Sequence, residues 1–506
     1  MSLHTKKIEL IKPIKLSSEL DDQLISNSLS ENAQSFLYQQ ASSALLNPNQ
    51  NINVSFQSIK ILNILVSTYS YPIDKKTLLA CFSLLDKNPE ISKEISNIIL
   101  LSLSKNAEIT SSFLKNQIPD FLLQLVTKPF HSWIKDLLCF LCQTPEICDR
   151  LVCYGLINHI EQGFLSIPPE LNNLNFTEKN EQLNENTEKI TNNSESIFEE
   201  KISYNPKDYI CLCFSIFQTV AQNMKYNDMS FLKLISLISS FFYGNRYPID
   251  QDVITSGLSV IIEILKRNDQ KGDNFSPLIL QEILHISDFL LNNLQNLNLQ
   301  MLSHLISILT FLTKSNYAHE IVHLNSFQNL LEAQREWGDS MNEPSGEFFK
   351  CLSYLIMKEP ETINALGSFG IMDHAIFVFD NGSYKSRINS GYFFVSLANQ
   401  SFWKIAESFF ASNEIVAKLG YLLEIELSND IANIFAYGLN QIVFNLLNYS
   451  NERNESLIQQ FCSNPFEGIF SSFFEIENQI VAQSIHTLHD QICSLIPQYP
   501  FSIHFS

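Results

Sequence analysis

Residues 384–448 read YKSRINSGYFFVSLANQSFWKIAESFFASNEIVAKLGYLLEIELSNDIANIFAYGLNQIVFNLLN. Their apolar spacing predicts three helices followed by the start of the same unit again. Ile388, Gly391, Tyr392, Val395 and Ala398 recur at three- and four-residue intervals, and Phe393, Phe394 and Leu397 fill the gaps. A helix that is apolar nearly all round must be covered on both sides. Phe402, Ile405, Ala406, Phe409 and Phe410 mark a short second helix. Ile415, Val416, Leu419, Leu422 and Leu423 mark a third, with Glu414, Lys418 and Glu424 on its outer side. Ser428, Asn429 and Asp430 restart the cycle, because their side chains can accept from the free N–H groups that open the next helix, Ile431 to Asn448.

The same order, long apolar helix, polar break, short helix, small or polar residue, amphipathic helix, recurs along the chain. Leu137 to Cys142 is followed by Thr144-Pro145-Glu146-Ile147 and then by Gly155-Leu156-Ile157. Cys351 to Met357 is followed by Glu359-Pro360-Glu361-Thr362-Ile363 and then by Gly370-Ile371-Met372. The anchor Ile or Phe that opens the last helix falls at Ile118, Ile157, Phe327, Ile371, Ile415 and Phe466, in steps of 39 and, beyond a gap between Ile157 and Phe327 where the signal is obscured, of 44, 44 and 51 residues. A longer echo joins Phe56 to Asp74 with Phe231 to Asp250, since both segments end in Tyr-Pro-Ile-Asp.

Composition agrees with helices. The 506 residues include only 14 Gly and 17 Pro, fewer than an all-β chain with a tight turn every ten residues would need. Hydrophobic residues make up 45%, with 38 Phe, enough for an extensive core, and the length calls for several domains or a repeat array. The Asn-, Ser- and Gln-rich remainder reads as codon bias. Fifty-three acidic against 33 basic residues give a net charge of -20, which argues against nucleic acid or an anionic membrane surface as the main ligand and favours a basic partner. Lys6, Lys7, Lys12 and Lys15 are not followed by the apolar run of a secretory signal. The longest apolar runs, near Tyr209 to Ala221 and Phe231 to Tyr243, fall short of the roughly 20 residues of a membrane span. A cytoplasmic protein, with nuclear access open, is expected.

Domain boundaries follow from composition. Residues 1–50 form an N-terminal extension with one helical stretch, Ala33 to Leu46; residues 51–165 hold a first set of repeats; residues 207–506 hold a second set continuous with the first. Residues 166–206 between them are crowded with Glu, Asn, Lys and Thr and bury too little apolar surface to order themselves, so they are expected to be a disordered acidic insertion. Lys266 to Asn274 reads as a second polar loop.

The block from Cys351 to Asn448 resembles tandem armadillo repeats, with short first, middle second and long third helices in that order. The resemblance covers residues 51–165 and 207–500, and the period lies in the range of about 40–47 residues of armadillo and HEAT units. It implies an all-α, armadillo/HEAT-like solenoid, a right-handed superhelix of stacked repeats that binds other proteins along the concave surface made by its third helices. A HEAT-type transport or assembly factor is a neighbouring reading. In peptide-binding members an Asn on each third helix clamps an extended backbone, often beside a Trp. The matching positions here carry Asn63, Phe140, Phe311, Tyr354, Ser396 and Asn445, and the Trp place carries Ile59 and Tyr392. Only Asn63 and Asn445 keep the amide, so generic scaffolding is the safer inheritance. Asn63, Tyr354, Ser396 and Asn445 are the expected partner-binding residues.

Motifs of chemistry are few. His319-Glu320-Ile321-Val322-His323 is a literal HExxH, which on a helix sets two imidazoles on one face for zinc with Glu320 as the base, and Glu343 lies where a third ligand could come. This is the competing reading, a zinc metallopeptidase. Against it, the motif falls on a short first helix, no strand-rich segment precedes it, and Pro344 interrupts the segment that carries Glu343. Cys139, Cys142, Cys148 and Cys153 form a Cys-x2-Cys pair followed by two more, which could hold a metal, but Cys139 and Cys142 interrupt an otherwise apolar helix where thiols pack as small hydrophobes, so core packing is expected, and ten scattered Cys fit a reducing compartment. Phosphate-cradling glycine loops, a GxSxG elbow and kinase motifs are missing, so no enzymatic activity, cofactor or metal is expected. Trp133 and Trp403 read as packing residues; Trp337, after Arg335-Glu336, is expected to be exposed for a partner.

Overall fold

The computed structural model describes residues 29–47, 52–85, 89–105, 118–127, 130, 132–166, 205–225, 227–243, 250–271, 275–337, 342–427, 431–450 and 454–501. Among the described residues the regular structure is helical throughout, without a strand, and the fold is an all-α solenoid. The expected acidic insertion, the capping residues Ser428 to Asp430 and the second Tyr-Pro-Ile exit fall largely outside those residues. The chain divides into two compact units, residues 1–237 with 245–248, and residues 238–244 with 249–506.

In the first unit the long helices α1 (Glu31–Leu45), α2 (Ile52–Tyr69), α4 (Pro89–Lys105), α6 (Ser132–Cys142) and α9 (Pro206–Asn223) pack one on the next. The shorter α3 (Lys75–Ser83), α5 (Ile118–Leu125), α7 (Pro145–Cys153) and α8 (Leu156–Leu165) fill a second layer, and α10 (Asp228–Tyr243) leads into the second unit. Asp74 shows why the Tyr-Pro-Ile-Asp exit ends a helix. Pro72 cannot continue α2, and the Asp74 carboxylate accepts from the Lys76 and Thr77 N–H groups to open α3. Asp250 repeats the device, accepting from the Asp252 N–H ahead of α11 (Gln251–Lys271). The polar stretch from Lys266, expected as a loop, continues α11 as helix to Lys271, because Arg267 is buried and Lys266 pairs with Glu263 at 2.7 Å.

The second unit repeats three helices. After α11 and α12 (Pro277–Leu291) come α13 (Leu299–Leu312), α14 (Ala318–Val322) and α15 (Phe327–Ala333); then α16 (Asn342–Lys358), α17 (Thr362–Ser368) and α18 (Ile371–Asn381); then α19 (Tyr384–Leu397), α20 (Trp403–Ser412) and α21 (Ile415–Ile425); then α22 (Ile431–Asn448), α23 (Glu455–Gln460) and α24 (Asn464–Ser471), closed by α25 (Gln479–Leu495). The long helices α11, α13, α16, α19, α22 and α25 form one continuous stack. The anchors Phe327, Ile371 and Ile415 open the last helix of successive triplets, Phe466 lies in the first turn of the next such helix, and all four are buried. Between the short helix and the anchor-bearing helix that follows it, the backbone turns through the left-handed region at Gly155, Gly370 and Glu414, with φ of 93°, 67° and 54°. Only glycine does so without cost, so Glu414 is held there by the packing on either side. As its apolar circumference requires, α19 is enclosed by α16, α18 and α22, with Phe393, Phe394 and Leu397 fully buried.

Gln460 ties neighbouring units together. Its amide donates to the Phe410 and Ala411 carbonyls at 3.3 Å and accepts from the Val416 N–H at 3.0 Å. Asparagine supplies many helix starts: Asn205, Asn298, Asn454 and Asn478 each accept from the first turn of the helix that follows. The abundant Asn therefore has a structural use beyond its codon.

Candidate protein-binding face

The stack of long helices in the second unit exposes one edge of each. Half-exposed rings lie along it: the Lys314 ammonium is 5.7 Å from the Phe311 ring and 5.1 Å from the Tyr354 ring, and Tyr392 stacks at 5.7 Å on Phe435, which is buried behind it. Burial, and then the neighbouring Tyr354, raises the Tyr392 hydroxyl pKa, so this phenol stays a neutral donor. At the start of the same edge Lys385 lies 2.7 Å from Glu347 and 3.9 Å from Glu343.

The four expected partner-binding residues are placed unequally. Tyr354 is half-exposed on α16 among those rings. Asn63, half-buried on α2 of the first unit, donates its Nδ2 to the Glu94 carboxylate on α4, while its Oδ1 is buried without a partner. Ser396 is buried and donates to the Phe393 carbonyl at 2.7 Å. Asn445 is 0% exposed and donates to the Ala398 carbonyl at 2.7 Å. Ser396 and Asn445 thus lie on the sides of α19 and α22 that pack inward, each hydrogen-bonded within the chain.

Sequence reasoning missed the open groove of about 540 Å³ between α22 and α25. It is lined by Asn433, Ile434, Tyr437, Asn440 on α22 and by Ile480, Ser484, Thr487, Gln491 on α25. Tyr437 and Ile480 are 59% and 65% exposed, and Ile434 is exposed too. Ser484 Oγ donates to Asn433 Oδ1, and Asn440 Nδ2 donates to the Ser484 carbonyl at 3.2 Å. Asn440 Oδ1 and Gln491 Oε1 are buried acceptors without a partner. The signal was present: Ile434 and Tyr437 lie on α22 opposite the buried Phe435, Leu439, Ile442 and Leu446, an apolar character in excess of what one packed face needs.

The other motifs resolve as follows. His319 and His323 lie on and just after α14, with ring centroids 4.1 Å apart; His323 Nδ1 is 2.8 Å from the His319 carbonyl and His319 Nδ1 is 3.6 Å from Glu359. Among the described residues no group of three His, Cys, Asp or Glu is arranged to hold a metal ion. Pro344 does not interrupt its segment but sits in the first turn of α16, where a missing N–H removes no helical hydrogen bond. Cys142 and Cys148 are buried free thiols whose mutual hydrogen bond, together with burial, pushes the Cys142 pKa well up, so it stays protonated; Cys153 is exposed. Trp337 is buried, contrary to expectation, because its ring packs edge-on against Phe348 and His374 at 5.6 and 6.2 Å. Burial in that aromatic cluster lowers the His374 pKa to about 4. Among the described residues no helix is long and apolar enough to cross a membrane.

No protein-family model matches the sequence, and no curated protein does. Among solved structures the crystal structure of an engineered protein is similar at a TM-score of 0.53 and 12% identity, over 93% of this chain and 98% of that one. A crystal structure of importin beta aligns at a TM-score of 0.47 and 11% identity, over 92% of this chain and 53% of importin beta. At 12% identity the likeness to the engineered protein is one of fold alone.

Proposed function

We propose that this chain is a non-enzymatic protein-binding scaffold or adaptor that holds a segment of its partner along the exposed edge of its long helices. The observation that supports this most is the edge itself. It carries Tyr354, Ile434, Tyr437, Phe444 and Ile480, ring and aliphatic surface that a helix stack does not need for its own core. The charge of -20 adds a Lys/Arg-rich segment as the partner's first attraction, and it makes nucleic acid a poor ligand. A cytoplasmic location with nuclear access suits such an adaptor. No cofactor or metal enters this reading, and Asn63 and Tyr354 remain as contact residues, Ser396 and Asn445 as supports behind the face. Affinity purification with mass spectrometry identifies the partner, and titration of the purified pair at low and physiological salt tests the charge. Binding that weakens several-fold as screening sets in at about 8–10 Å is expected. An affinity that does not change with salt, or an acidic partner surface, refutes the basic segment, and capture of no protein refutes the scaffold.

A further inference from the structure

We infer that the free chain pairs with a second copy of itself, two-fold symmetrically, through the uncharged face formed by α22 and the adjoining edges of α19 and α25. This goes beyond the scaffold reading and does not depend on it. It uses the C-terminal end of the edge that the scaffold reading gives to a partner, so pairing and partner binding exclude one another there.

Charge decides what can cover this face. α19, α22 and α25 lie side by side, and none of residues 388–399, 431–450 and 479–488 is Asp, Glu, Lys or Arg, in a chain where 17% of residues are. A Lys/Arg-rich segment would lose hydration here without meeting a carboxylate. Two chains of charge -20 repel wherever acidic surface meets acidic surface. Between two copies of this face no carboxylate opposes another, so close approach sets no like charges together.

Apolar surface supplies the attraction. Phe435, Leu439, Ile442 and Leu446 turn one side of α22 into the chain's own core, while Ile434, Tyr437, Phe444 and Leu447 are exposed on the other. Tyr449 extends the patch with its ring 5.9 Å from that of Phe444, and Ile480 extends it on α25 across the groove from Tyr437. Each of the six keeps roughly half of its surface in water, which at about 200 Å² for a large side chain is about 600 Å² per copy. With the half-exposed Tyr392 and Val395 of α19 and a rim of Asn433, Asn440 and Gln441, the face approaches the about 800 Å² per partner of a stable interface. Its make-up, rings without charge, is that of an interface core.

Shape lets the face meet its own copy. Tyr437 and Phe444 stand two turns apart on one side of α22, about 10 Å along it. Beside this ridge runs the groove of about 540 Å³ toward α25. In a two-fold pairing the ridge of one copy enters the groove of the other, and each contact is made twice.

The test is sedimentation equilibrium of the purified full chain at several concentrations and salt levels, with circular dichroism to follow folding. Expected is the mass of two chains at about 10 µM, since interfaces of this size hold at micromolar concentration or below. Salt should strengthen the pairing several-fold by screening the repulsion between two negative chains, opposite in sign to the weakening expected for a basic partner. Tyr437→Glu and Ile480→Glu should each weaken it about tenfold or more, by setting a carboxylate into a desolvated contact, at unchanged helicity and Tm because both side chains are largely exposed. Ile405→Glu, at an exposed position on α20, should leave it intact. The mass of one chain at every concentration overturns the pairing and leaves the face to a partner segment. A dimer that Tyr437→Glu and Ile480→Glu leave intact overturns the face, and a mass that grows past two chains overturns the two-fold symmetry. The scaffold reading stands or falls separately, on capture of a partner.

Discussion

Asn445 is where a partner-binding role and a structural role part most sharply. Its Nδ2 donates to the Ala398 carbonyl at 2.7 Å, across 47 residues of sequence, and both residues are fully buried. Asn445→Ala removes the donor and leaves that carbonyl short of a partner, which costs about 1–3 kcal/mol. It also removes Oδ1, buried without a partner, which offsets part of the loss, so a net of about 1.5 kcal/mol is expected. At roughly 2–4 °C per kcal/mol this lowers Tm by about 3–6 °C. Asn445→Asp replaces the donor with a buried carboxylate facing a carbonyl oxygen, and should cost more than the alanine does. Tyr437→Ala, on the exposed side of the same helix, should stay within about 0.5 kcal/mol. Urea titration followed by circular dichroism, alongside binding of the purified partner, separates the roles. Partner binding lost in Asn445→Ala with stability unchanged would refute the inward placement and restore Asn445 to the binding face.

The left-handed turns give a pair of opposite sign. Gly370→Ala should destabilise by about 1 kcal/mol, since no atom stands within 4 Å of the new Cβ and only the backbone is strained, whereas Glu414→Gly at the equivalent turn should gain about 0.5–1 kcal/mol; equal signs in denaturant titrations would contradict the repeat alignment. At Gly438 an added Cβ would stand 2.5 Å from Val395 Cγ2, so Gly438→Ala should cost about 1–3 kcal/mol and Val395→Ala should restore much of it in the double mutant. His374 is held neutral, with its pKa lowered from 6.5 to about 4, so the folded state binds fewer protons than the unfolded one between those values. Stability should fall as pH drops from about 6.5 toward 4, and His374→Phe should remove that slope; an unchanged pH profile of Tm would refute the buried placement.

The helices and their three-fold grouping were legible in the sequence because they depend on local spacing. The period of apolar residues, the αL glycines and the anchors Ile371 and Ile415 are written within a few residues of one another, and packing needs only that each apolar stripe meet the next. The second helix expected from Phe402 runs from Trp403, and Ile431 to Asn448 is helical throughout. Sidedness was not legible in the same way. Trp337 looked exposed among polar neighbours, yet Phe348 and His374, from other helices, close over it. Ser396 and Asn445 matched the contact positions of a peptide-binding repeat, yet the interhelical crossing turns both inward. The groove required two helices nearly fifty residues apart to lie side by side, with Asn440 held by Ser484. Periodicity fixes which residues share a face of one helix; the direction that face points, and which polar atoms remain unpaired, depend on the neighbouring helix, and only the tertiary structure supplies it.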